Sequence, residues 1–264
     1  MPVSTVETEH VWTIVHDRPD ARNAVDTAHS HALFDAFMAF EASEARVAVF
    51  YGAGGNFCAG WDLKLAASLQ DPAKRDAYFA EIGVERSLRA AMGPSRLALS
   101  KPVIGAIEGA AVAGGMELAL WCDVRIMGQS AYMGVYCRRW GITLVDGGTV
   151  RLPRLVGQGR ALEIAMTGRK VPAEECERIG LCERIVPDGQ TRGEAEAMAH
   201  QIARFPQEAM LADRAAILAG QSMPVREAIA NEWHRGLEAI AREGTAGAGR
   251  FAGGKGRSGD FDDI

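Results

Sequence analysis

Two strand-like runs that break off into glycine constrain this chain more than any other feature. RVAVFY (Arg46–Tyr51) and PVIGAI (Pro102–Ile107) are apolar and rich in branched residues, and each leads into a glycine cluster, GAGGNFCAG (52–60) and GAAVAGG (109–115). Runs without polar alternation are buried on both faces, as the strands of a helix-covered parallel sheet are. The glycines free the backbone to take positive φ and to turn N–H groups outward. A further run, HVWTIVH (His10–His16), precedes apolar residues at helical spacing over Thr27–Ala45, which with Arg46–Tyr51 makes a βαβ unit. A second cycle follows: a helical stretch from about Lys74 to Leu99, the Pro102–Ile107 strand, a helix from about Gly114 and a strand at Asp123–Met127. The pattern predicts an α/β fold with a largely parallel sheet.

Beyond Ala161 the pattern is mostly helical, over Ala161–Thr167, Ala173–Ile179, Thr191–Ala203 and Gln207–Arg242, the last broken near Gly220–Pro224. Only Glu183–Val186 reads as a strand there. A boundary near Pro187–Gly189 therefore divides an α/β core, residues 1–188, from a helical module, residues 189–264. The glycine-rich, polar tail GRFAGGKGRSGDFDDI is expected to be mobile unless it docks.

The charge balance narrows the partners. A net charge of -5 with no block of like charges gives neither a nucleic-acid footprint nor a polybasic membrane patch, so small molecules and copies of the chain itself are expected. Cys58, Cys122, Cys137, Cys176 and Cys182 form an odd set without a C-x-x-C pair, which points away from disulfides and structural metal and toward a reducing cytoplasm. The most apolar stretch, Pro102–Cys122, is interrupted by Glu108 and Glu117, and MPVSTVETEH has no signal-peptide pattern, so no targeting or membrane segment is expected. Dinucleotide and P-loop fingerprints and the G-x-S-x-G elbow are missing, and the histidines lie outside the glycine loops.

The second glycine cluster opens a helix, whose first N–H groups are unpaired and lie at the positive end of its dipole. Glu117, one turn in, either complements that dipole or acts as an acid/base. Two strand-ending loops that each donate one N–H are what an acyl thioester needs when its carbonyl becomes an enolate; each such donor is worth about 3 kcal/mol. On these residues the chain resembles the crotonase (enoyl-CoA hydratase/isomerase) family. The matching segments are RPDARNA (18–24), FCAGWDLK (57–64), KPVIGAIEGAAVAGGMELALWCD (101–123), GGTVRL (147–152) and LEIAMTGRKVPAEECERIG (162–180).

The resemblance implies a spiral of ββα turns followed by a helical trimerisation region, assembled as a homotrimer or a dimer of trimers. It implies an oxyanion hole from the backbone N–H groups of Trp61 and Gly114, with Glu117 as acid/base. Arg22, Ala24, Ala59, Asp62 and Leu63 fall in segments that hold the adenine and pantetheine of coenzyme A. No metal or cofactor is implied beyond the coenzyme A of an acyl-CoA substrate, and the expected reaction is hydration of a 2-enoyl-CoA.

One position departs from the family pattern. Counting without gaps from Glu117 puts Cys137 where the hydratases carry a second glutamate. Its thiol is a packing group or a weak substitute for a carboxyl. Asp146, in LVDGGT, stands close to where dehalogenase-like members place a catalytic aspartate, and equally reads as an N-cap. Arg138 and Arg139 are open to pairing with Glu117, Asp146 or a substrate carboxylate, or to a trimer contact. The missing glutamate keeps other reactions in view: double-bond isomerisation, decarboxylation, thioester hydrolysis, and acyl-CoA binding without catalysis.

Overall fold

The computed structural model describes residues 3–84, 88–261 and 263. Val3–Thr8 (β1) and Val11–His16 (β2) form an antiparallel edge. Parallel to β2 the sheet continues through Val47–Gly52 (β3), after the helix Thr27–Ala42 (α1). Asp26 caps α1, its carboxylate accepting the His29 N–H. The helix lays Leu33, Phe37 and Phe40, all fully buried, on the sheet. The Phe37 ring meets Phe50 edge-on at 5.3 Å and Trp121 at 4.8 Å. Burying one such ring stabilises the fold by roughly 1.5–3 kcal/mol.

Two short helices follow, Leu63–Ser68 (α2) and Pro72–Glu81 (α3), capped by Asp62 and Asp71. The single helix expected over Lys74–Leu99 is not formed. Helix α3 stops at Glu81, with Gly83 just past its C-cap Ile82, and the described chain is then irregular up to a 3-10 turn at Pro94–Arg96, set by Gly93 at φ 76° and the proline after it. Residues 85–87 of that expected helix lie outside the described residues.

The sheet resumes with Val103–Ile107 (β4), and Ala110–Val112 (β5) leads into the helix Gly114–Trp121 (α4). Val124–Gly128 (β6) and Tyr132–Gly134 (β7) come next, then Gly148–Val156 (α5) and Gln158–Thr167 (α6). Val171–Pro172 (β8), Ala173–Ile179 (α7) and Arg184–Val186 (β9) complete the core. The main sheet has six strands in the order β1-β2-β3-β4-β6-β9, parallel except at the β1 edge; a second has three, β5-β7-β8. Cys58 bridges to Ala111 of β5. The five cysteines are free and buried.

The chain divides into two compact units, Met1–His200 and Gln201–Ile264. The division falls later than residue 188 because most of the helix Thr191–Arg204 (α8) belongs to the core. Ala195 and Ala199 are fully buried, and Glu196 accepts the Thr13 hydroxyl at 2.7 Å. The second unit holds Gln207–Gly220 (α9) and Val225–Ala239 (α10), a π turn at Ile240–Gly244, and Thr245–Ala252 (α11). Part of the tail expected to be mobile is thus helical, and Phe261 meets Phe205 edge-on at 6.0 Å.

Candidate active site

The two glycine loops cross. Cys58 N–H donates to Ala110 O at 2.9 Å and Val112 N–H to Cys58 O at 3.0 Å, which zips the first loop to β5. At Gly60, φ 95°, an added Cβ would stand 2.9 Å from Gly114 N; at Gly115 it would stand 2.0 Å from Cys58 O. Only glycine permits so close a crossing. Ala113, just before α4, is held at φ 55° and ψ -125°, a conformation costing about 1–3 kcal/mol, and its N–H bonds Gly134 O at 2.8 Å. Trp61 and Gly114 therefore flank the crossing. Neither of their N–H groups has an acceptor among the described residues, and both residues line a cavity of ≈ 480 Å³.

The segment Arg18–Val25 holds the first loop in place. Arg22 and Asn23 both take positive φ, and the Asn23 amide donates to Ala53 O at 2.8 Å and Asn56 O at 2.7 Å. Val25 N–H donates to Gly60 O, and Asp62 N–H to Val25 O, on either side of Trp61. Arg22, Ala59 and Leu63 line the cavity. Ala24 and Asp62 are not on its wall: Ala24 O accepts from Arg18, and the Asp62 carboxylate caps α2 while pairing with Arg18 at 2.7 Å. The Trp61 indole donates to the Tyr78 hydroxyl at 3.0 Å.

Glu117 and Asp146 meet at the same cavity, each only 3% exposed. Glu117 does not serve its own helix. Its Oε1 accepts the N–H groups of Asp146 at 2.9 Å and Gly148 at 2.8 Å, at the start of α5, which leaves Oε2 for the cavity. Burial, reinforced by Asp146, lifts the Glu117 pKa from 4.5 to about 7, against the pull of the two N–H groups and Arg151. Asp146 is not the N-cap of α5. Its Oδ1 accepts from Met92 N–H at 3.1 Å and the Ser95 hydroxyl at 2.6 Å, and burial raises its pKa in spite of these bonds. Arg151 bonds Asp146 O at 3.0 Å and Ser95 O at 2.8 Å.

Cys137 packs in the hydrophobic core with one side on the cavity, and burial, then Glu117, push its thiol pKa up. Arg138 and Arg139 pair with neither Glu117 nor Asp146. Arg138 donates to Ala165 O, and Arg139 lies over the Tyr136 ring at the cavity. Tyr78 lies on α3, within the stretch read as helical, whereas the contacts of Met92 and Ser95 with Asp146 have no place on a continuous helix over 74–99; Gly93-Pro94 is the signal against it. No group of three or more His, Cys, Asp or Glu among the described residues is placed to hold a metal ion.

Two free N–H groups beside a carboxyl that titrates near neutrality suit the formation of an oxyanion next to a carbon that gains or loses a proton. The comparisons with known proteins agree with that chemistry. The family model "Enoyl-CoA hydratase/isomerase" matches residues 7–243. Enoyl-CoA hydratase EchA19 of Mycobacterium tuberculosis is 32% identical over 249 residues, 89% of this chain and 88% of that protein. A carnitinyl-CoA dehydratase of Salmonella paratyphi A is 37% identical over 226 residues, 82% of this chain and 80% of its own. The crystal structure of a Bacillus anthracis enoyl-CoA hydratase matches with a TM-score of 0.85 at 32% identity, over 96% of both chains. With the crossed loops, the buried carboxyl and a match over most of its length, this chain belongs to the enoyl-CoA hydratase/isomerase, or crotonase, family.

Proposed function

We propose that this enzyme adds water across the C2–C3 double bond of a 2-enoyl-CoA, or removes it, with Glu117 as the acid/base. The observation that carries the reading is the cavity-facing Glu117 carboxyl, with its pKa near 7, beside two N–H groups without acceptors. The thioester oxygen accepts from Trp61 N–H and Gly114 N–H. Ionised Glu117 takes a proton from water as its oxygen bonds C3, and electrons move through C2 onto the thioester oxygen. The same carboxyl then returns the proton to C2, so the net addition is one H and one OH. A group half ionised near pH 7 suits both transfers. Asp146, protonated more readily than an ordinary aspartate, is proposed to tune Glu117 and to be available as a second proton donor.

Cys137 favours a second reaction at the same site. A thiol with a raised pKa supplies no second carboxyl, and shifting a double bond along the acyl chain needs only one acid/base. Incubating trans-2-enoyl-CoA thioesters in D₂O separates the two. Hydration gives 3-hydroxyacyl-CoA with one deuterium at C2; isomerisation gives no added oxygen. Recovery of unchanged thioester, with or without binding, would sink both.

Arg22, Ala24, Ala59, Asp62 and Leu63 are proposed to form the coenzyme-A side of the site, with no other cofactor required. A homotrimer or dimer of trimers is supported by the exposed apolar residues Ile217, Val225, Ile229 and Trp233 of the second unit; light scattering on the purified protein tests it. No described helix is long and apolar enough to cross a membrane, and a cytoplasmic location is proposed.

A further inference from the structure

Arg138 and Arg139 are adjacent in sequence and part company in the structure. Arg138 turns to Ala165 O at 3.0 Å. Arg139 stands on the cavity wall that also carries Cys137, its guanidinium 4.8 Å above the Tyr136 ring and 5.8 Å from that of Trp140. No carboxylate among the described residues pairs with it, and its one hydrogen bond is a 3.5 Å contact from Nε to Tyr136 O. A guanidinium held beside two rings and without a carboxylate partner keeps N–H groups available for a planar anion.

The neighbouring rings carry the same sign. Lys170 Nζ lies 4.3 Å above Tyr132, another cavity residue. Aromatic faces are what binds a quaternary ammonium, and on this wall cations already lie over Tyr132, Tyr136 and Trp140. A cationic acyl group meets like charge on this wall, whereas an acyl carboxylate meets a two-pronged donor. Glu117 and Asp146 share the cavity, and burial raises the pKa of both, which lessens their negative charge without removing it; Arg139 is the cation on the opposite side of that balance.

We propose that Arg139 reads the charge of the acyl group and selects thioesters whose acyl chain ends in a carboxylate over neutral or cationic ones. This rests on the acyl-CoA reading above. The relative named carnitinyl-CoA dehydratase would then share the fold and differ in the acyl charge it accepts.

The test is calorimetric titration of the wild type, Arg139→Met and Arg139→Lys with four unreactive probes: glutaryl-CoA, butyryl-CoA, 4-trimethylammoniobutyryl-CoA and free coenzyme A. Wild type binds glutaryl-CoA about tenfold or more tighter than butyryl-CoA, a charge-assisted bidentate contact being worth at least one decade, and binds the cationic thioester most weakly of the three. In Arg139→Met the glutaryl-to-butyryl ratio falls about tenfold; Arg139→Lys retains part of it. Equal ratios in wild type and Arg139→Met, or tightest binding of the cationic thioester, overturn the proposal. So does an Arg139→Met variant that weakens free coenzyme A as much as glutaryl-CoA, which assigns the guanidinium to the coenzyme's phosphates. If butyryl-CoA and coenzyme A bind while the ratio is flat, Arg139 alone has been misread; if no probe binds, the acyl-CoA reading falls with it.

Discussion

Two glutamates nine residues apart, one just before β5 and one in the first turn of α4, do the same structural task, and of the two Glu117 lines the ≈ 480 Å³ cavity. Glu108 reaches the start of α8, its Oε1 accepting Gly189 N–H at 2.9 Å and the Thr191 hydroxyl at 2.8 Å. Glu117 reaches the start of α5 in the same manner, through Asp146 N–H and Gly148 N–H. Both are buried. A buried carboxyl at a distant helix start is thus a device for joining pieces of this fold. It becomes a candidate acid/base where one oxygen is left over, a second carboxyl stands near and a cavity opens beside unpaired N–H groups.

Substitutions at the two positions should therefore part company. Glu117→Gln is expected to lower kcat/KM for an enoyl-CoA by about 10²–10⁴-fold, the usual worth of a positioned proton-transfer group. Glu108→Gln should leave the rate within a few-fold. Steady-state assays of both variants check the contrast, and a comparable loss in Glu108→Gln would break it.

Stability should move in the opposite sense. Glu108→Ala strips acceptors from buried donors at the start of α8 and is expected to cost about 2–4 kcal/mol. Glu117→Gln is expected to stabilise the protein at pH 8, by up to about 3 kcal/mol. The sign follows from the raised pKa. Wild type is fully stabilised below pH 4.5, loses stability as the pH rises toward about 7, and is level above that. The variant lacks this slope. Urea denaturation at pH 4.5 and pH 8 measures the difference, and a variant less stable than wild type at pH 8 would contradict it.

Smaller effects sharpen the picture of the crossing. Gly60→Ala forces a Cβ against Gly114 N and should lower kcat by about tenfold or more, roughly half the worth of one oxyanion donor. A change in KM alone would mean that the crossing only shapes the pocket. Asp146→Asn removes the carboxyl that helps to raise Glu117, so the acidic limb of the pH–rate profile should move to lower pH. An unmoved limb together with a large loss of rate would instead make Asp146 a proton donor in its own right.

Much of this was legible in the sequence. Paired strands and glycine clusters announced the α/β core, and the segments around Trp61, Gly114 and Glu117 announced the family. What periodicity did not reveal is set by tertiary contacts. The turn at Gly93-Pro94 brings Met92 and Ser95 onto Asp146, a link across 51 residues for the Ser95 bond. Asp-Gly-Gly before a helix reads as an N-cap, yet the side chain that reaches the helix start comes from Glu117, on another helix. Ala24 and Asp62, from two matching segments, both bond Arg18, a contact that spacing along the chain did not reveal. Arg138 and Arg139 are indistinguishable in sequence and diverge only through the 3-10 turn at Tyr136–Trp140.

In the proposed reaction Glu117 exchanges a proton near neutrality at the carbon next to an oxyanion. The most direct test is the pH dependence of kcat/KM for enoyl-CoA hydration, in wild type and in Glu117→Gln. The wild-type rate is expected to rise with pH through a midpoint of about 7 as Glu117 ionises, with that limb absent from the residual activity of the variant. A midpoint near the ordinary value of 4.5, or the same limb in both proteins, would contradict it.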